Sequence, residues 1–181
     1  MLRTRPLVAL LLIAASTPLA AQNYNADLHR DVGEVQKKLI ELAGAMPEST
    51  LDWRPKSDPK VRSVREVFMH VIAENYYLPG LMGKAAPAAT GITPDYKSVE
   101  AYEKKKLTRA EIVAALTASF ANLHQGLNTT TDANAGEKIN FFGQQMTRSS
   151  TMVGTVTHLH EHLGQAIAYA RSNGVVPPWS K

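Results

Sequence analysis

The chain has 181 residues, 44% hydrophobic and 20% charged, which is enough apolar content for one ordinary core and excludes a disordered or fibrous polypeptide. It contains no cysteine, so disulfides, thiolate catalysis and cysteine-ligated zinc are excluded. The formal net charge is +4, too small to argue for a polyanionic partner.

Residues 1–21 follow a different pattern from the rest. Arg3 and Arg5 make a basic start, LVALLLIAA is an apolar run of about nine residues, and the segment closes in small side chains up to Ala21. This reads as a secretory signal peptide, too short to span a bilayer. Cleavage is expected near Ala21, releasing residues 22–181 as a periplasmic or secreted domain. Loss of Arg3 and Arg5 lowers the net charge to about +2. The run Lys104-Lys105-Lys106 has no interleaved aromatic side chains and reads as a solvated helix end, so no nucleic-acid partner is expected. No later segment is apolar enough for a membrane span.

Four long helices are expected, in chain order. Over residues 24–46, Val32, Val35, Leu39, Leu42 and Met46 recur at three- and four-residue intervals and form one apolar face. Pro47, Pro55 and Pro59 make residues 47–62 an extended loop with Trp53 as its buried anchor. Ser63 and Glu66 then match a capping box, starting a second helix that runs to about Pro79. A short helix is expected over residues 98–105. Thr108 and Glu111 form a second capping box that opens the next long helix, through about Leu127. Residues 128–148 are polar around the apolar island INFFG, where a short strand or hairpin fits. Ser149 or Ser150 starts the last helix, which ends at Asn173-Gly174 ahead of Pro177 and Pro178. The fold class expected is all-α, an antiparallel four-helix bundle.

The last helix carries an unusual density of histidine. Met152, Val156, Leu159, Leu163, Ile167 and Ala170 form its apolar stripe; His158 and His162, four residues apart, share one edge of it, with Gln165 and Tyr169 on the same flank. His160 falls near the opposite edge, and Glu161 points away from the stripe. Two imidazoles at this spacing form a metal chelate that calls for a third ligand. The second helix offers one in His70, at the edge of the stripe Val64, Val67, Phe68, Val71 and Ile72, with Glu74 one turn later. A chance i,i+4 pair among the six histidines of the chain is the competing reading of the same periodicity. His29 and His124 read as partly exposed.

Taken together, DWRPKSD, the segment Ser63-x-x-Glu66 leading into FMHVIAEN, and HLHEHLGQAIAYARSNGVVPP resemble the DinB/YfiT-like four-helix metal-binding superfamily over about residues 24–178. The resemblance implies a DinB-like bundle whose three histidines, here His70, His158 and His162, bind a divalent metal. It departs at Leu163, where the family often has arginine. It also implies that thiol-dependent transferase or isomerase chemistry is available to the site, while an exported location, which meets less of any cytosolic thiol, keeps metal-assisted hydrolysis as a competitor.

Three neutral histidines leave a divalent ion its full charge and an open position, a catalytic arrangement that suits zinc or nickel. Glu74 is the candidate base or imidazole-orienting group, and Gln165 the candidate polar contact beside His162. A small-molecule substrate is expected, with a homodimer left open. The alternative is a non-catalytic exported metal-binding or stress-response bundle with a structural ion.

Overall fold

The computed structural model describes residues 24–180; the leader expected over residues 1–21 lies outside the described residues. Four long helices form the bundle: α1 (Tyr24–Ala45), α2 (Val64–Leu81), α4 (Arg109–Leu127) and α5 (Arg148–Ser172). A short α3 (Lys97–Glu103) lies against α2, and a hairpin of β1 (Lys138–Phe141) and β2 (Gln144–Thr147) precedes α5. Among the described residues no helix is long and apolar enough to cross a membrane.

Local chemistry sets the helix starts. Ser63 and Thr108 each accept the backbone N–H of a glutamate three residues on, Glu66 and Glu111, whose carboxylates return to the cap N–H, so both expected capping boxes are present. The last helix begins at Arg148, slightly before the expected serines, because Thr147 ends β2 and also caps α5 by accepting from the Ser150 N–H. The apolar face of α1 is buried as its periodicity requires: Val32, Val35, Leu39, Leu42 and Met46 all lie in the core. On α5 the stripe is buried except Ile167, which packs at its margin.

The helices form a ring in which α1 and α2 each pack against both α4 and α5. Contact pairs fix their directions. Arg65 meets Leu107, Asn75 meets Ser119, and Pro79 meets Gly126, so α2 and α4 run parallel. Asp31 lies beside His160, and the start of α1 shares a surface recess with Met152, so α1 and α5 also run parallel. Every α1·α4 and α2·α5 neighbour pair is antiparallel, as His29 against Asn128 and His70 against His158 illustrate. The cause is the connection over residues 82–108, which returns the chain along the bundle before α4 begins.

That connection, with α3, also covers α2. Every residue from Val64 to Pro79 is buried except Glu66, so α2 is enclosed on all sides where its sequence suggested a single apolar stripe. Its polar side chains are paired inside: Asn75 donates to Ser119, and Asn122 donates to the Asn75 carbonyl. Trp53 is the loop anchor expected of it, half-buried and edge-on to Tyr169 at 5.3 Å.

Candidate metal centre

Enclosure of α2 carries His70 into the interior, where it faces α5. His158 and His162, one turn apart on α5, complete a group whose ligand atoms all lie within 4.8 Å of one another. His158 Nε2 is 3.2 Å from His70 Nε2 and 3.0 Å from His162 Nε2. Nitrogens bound at about 2.0–2.1 Å to one tetrahedral ion would stand about 3.3 Å apart. The three side chains are therefore already spaced as a chelate, and the group could hold a metal ion.

The other face of two of the rings is fixed by hydrogen bonds. His70 Nδ1 donates to Glu103 Oε1 at 2.5 Å, and Glu103 is also held by Arg62 at 3.3 Å. His162 Nδ1 donates to Gln165 Oε1 at 3.0 Å, and Gln165 Nε2 donates to the Tyr169 hydroxyl at 3.1 Å. With their protons on Nδ1, both rings present bare Nε2 lone pairs toward His158. His158 Nε2 can donate one proton to only one of them, and its buried Nδ1 has no partner. A cation at the centre satisfies all three Nε2 atoms at once, and an all-nitrogen donor set suits a borderline-soft divalent ion.

Electrostatics favour the neutral form of His158 and His162. Burial, then the charges of His162 and His70, push the His158 pKa down to about 3. Burial lowers His162 as well, against the opposing effect of the hydrogen bond it donates to Gln165. Burial alone would raise Glu103, but the bonds from His70 and Arg62 overcome it and hold its carboxyl below the usual range. The site thus combines two imidazoles held neutral, His158 and His162, with a half-buried, ionised carboxylate behind the third side chain, His70.

The sequence-derived residues divide as follows. Gln165 touches His162, as its place on that flank suggested. Glu74 does not reach an imidazole; its carboxylate accepts from the Tyr96 hydroxyl at 2.9 Å, and burial raises its pKa. The group that orients His70 is Glu103, which sequence reasoning missed. His160 lies off the site, with Nε2 3.1 Å from exposed Asp31. His29 and His124 stack on each other away from the centre, Nδ1 to Nδ1 at 2.7 Å.

A cavity of about 370 Å³ reaches the centre through His70 and His158, and its lining includes Glu74, Tyr96, Phe141 and Phe142. Glu161, exposed as expected, stands at its rim. Such a recess, with a few polar groups converging on an apolar wall, has the character of a small-molecule site.

A comparison with curated proteins returned no match. Among solved structures, the crystal structure of a DinB-like protein from Bacillus cereus ATCC 10987 aligns with a TM-score of 0.65 at 17% identity, covering 86% of this chain and 93% of that one; at this identity the likeness concerns the fold. A sequence profile of the DinB superfamily matches residues 32–166, a span that contains all three histidines. By sequence over most of its length, and with a matching fold, the chain belongs to the DinB superfamily.

Proposed function

We propose that the protein is an exported, metal-dependent enzyme, a transferase or hydrolase acting on a small molecule at the three-histidine centre. The observation that carries this reading is the convergence of three imidazole Nε2 atoms beside a cavity that also holds a buried carboxylate. When bound, a zinc or nickel ion on three neutral nitrogens would supply a Lewis acid with its charge uncancelled and a coordination position free.

The surrounding side chains have separable tasks in this reading. Glu103 and Gln165 keep His70 and His162 in the tautomer that leaves Nε2 bare. Glu74 is the group proposed to take a proton from a substrate that enters the cavity; desolvation makes its carboxylate a stronger base, and the Tyr96 hydroxyl holds it in position. Leu78 and Phe141 line the same cavity and displace water from it.

Metal content and turnover of untagged mature protein test the proposal. One zinc or nickel per chain is expected, with activity on some member of a panel of thiol-transfer and hydrolytic substrates. Unchanged metal content in the His158→Ala and His162→Ala variants would refute the site. Loss of fold on metal removal, with no activity across the panel, would replace catalysis by a structural ion. Export rests on the basic, apolar and small-residue order of residues 1–21; N-terminal sequencing of the native product should begin near Gln22, and an intact Met1 would contradict it.

A further inference from the structure

The hairpin turn breaks a local rule. Its last paired residues are Phe141 and Gln144, which leaves Phe142-Gly143 as a two-residue loop with φ of 49° and 85°. Positive φ at both central positions is the geometry of a type I′ turn, for which Asn-Gly or Asp-Gly is the favoured pair. Phenylalanine at the first of these positions is strained by its Cβ. Phe142 is also 53% exposed, so burial in the core does not account for it.

Its ring is nevertheless held in place. The centroid is 5.9 Å from Tyr77, 5.4 Å from Tyr96 and 4.8 Å from Phe141. Phe142 and His70 line the same cavity. An exposed aromatic residue kept at a backbone position that disfavours it, beside a cavity that reaches metal-ligating groups, is the pattern of a side chain retained for ligand contact.

The lining narrows the ligand. Phe141, Phe142 and Tyr96 offer a wall for a flat apolar group, and the acids facing this cavity are Glu74 and Glu161. The basic side chains Arg54, Lys60, Arg62 and Lys104 line a different cleft, of about 780 Å³. A negative charge on the body of a ligand would therefore meet carboxylates without a compensating cation from the lining.

We propose that Phe142 is the aromatic wall of the substrate site and selects small molecules carrying a planar, apolar, uncharged group next to a metal-binding head. The inference rests on the three-histidine metal reading, and its test separates the two. Zinc is first titrated into the mature protein, and the loaded protein is then titrated calorimetrically with acetohydroxamate, benzohydroxamate and 4-carboxybenzohydroxamate. Benzohydroxamate should bind about tenfold or more tighter than acetohydroxamate, and the carboxylated analogue about tenfold weaker than benzohydroxamate.

Phe142→Asn removes the ring and places a favoured residue in the turn, so the hairpin persists. This variant should keep the zinc affinity and the acetohydroxamate affinity of the wild type, while its preference for benzohydroxamate falls to about twofold or less. Retention of the preference in Phe142→Asn, its absence in the wild type, or tighter binding of the carboxylated analogue would each overturn the inference while leaving the metal centre intact. Failure of the wild type to bind zinc would overturn both.

Discussion

Replacing Glu103 tests whether the centre depends on more than its three imidazoles. The carboxylate is 2.5 Å from His70 Nδ1, with side-chain exposures of 17% and 5%, respectively, and its lowered pKa keeps it ionised at neutral pH. A hydrogen bond to a charged group contributes about 1.5–3 kcal/mol and one between neutral groups about 0.5–1.5 kcal/mol. Glu103→Gln preserves an acceptor of similar shape but not the charge, so about 1–1.5 kcal/mol is lost, or about tenfold in metal affinity. Glu103→Ala removes the acceptor and frees the ring to rotate; loss of the whole bond approaches about 100-fold. Competition of the protein with a chromophoric chelator for zinc measures both, after thermal unfolding has shown that loss of the Arg62 partner leaves the bundle folded. Glu103→Ala binding zinc within about twofold of the wild type would refute the reasoning, since it would mean that packing alone fixes His70.

Gly126→Ala on α4 should destabilise the fold, because an added Cβ would lie 2.4 Å from Pro79 Cβ and 2.8 Å from Pro79 Cγ; a gain of about 1 kcal/mol in helix propensity against about 1–3 kcal/mol of overpacking leaves a net loss of up to about 2 kcal/mol. Urea unfolding checks this, and equal or greater stability would show that α2 and α4 can move apart freely. His160→Ala removes only the exposed contact with Asp31; it should cost at most about 1 kcal/mol and leave zinc affinity intact, whereas His158→Ala and His162→Ala should abolish most of it, and equal losses at all three positions would reject the geometry. Burial, then His29, lowers the His124 pKa below 6.5, so the unfolded chain binds the proton more readily: the neutral side chain contributes its full stability above that value, and the contribution is lost as pH falls below it. Between about pH 7.5 and about pH 5.5 the urea midpoint of the wild type should therefore fall further than that of His124→Gln; identical falls would contradict it.

The helices and the three histidines were readable because both are local signals. A capping box spans four residues, the α1 core face repeats within a single helix, and His158 and His162 declare a shared edge through their spacing alone. His70 was placed by its position at the edge of the second helix's apolar stripe, and the resemblance strengthened a reading that a single histidine, with no spacing of its own, carries less firmly. What escaped the sequence depends on how distant segments pack. Glu103 reaches His70 across 33 positions from a seven-residue helix whose end reads as a solvated run of lysines. Enclosure of α2 and the parallel course of α2 and α4 follow from the path of residues 82–108, which leaves no periodic trace. His29 and His124 likewise looked like separate, partly exposed residues until α1 and α4 brought them together.

Glu74 and Phe142 show where local rules lose their authority. By spacing, Glu74 was a natural candidate to orient His70, one helical turn away. The 82–108 connection instead supplies both Tyr96, which occupies Glu74, and Glu103, which occupies His70. The same excursion that makes two neighbouring helices parallel thus separates the two acids, placing the Glu103 carboxylate behind His70 and leaving that of Glu74 facing the cavity. At the hairpin the sequence departs from turn chemistry by placing Phe142 before Gly143, and the departure occurs at the wall of that cavity. The fold accounts for part of each arrangement, since Tyr96 bonds Glu74 and the rings of Tyr77, Tyr96 and Phe141 hold Phe142, but a four-helix core is complete without a buried carboxylate at position 74, and the turn would close better with asparagine at position 142. Both residues line the cavity that His70 also lines, and a functional centre is where such local costs are expected.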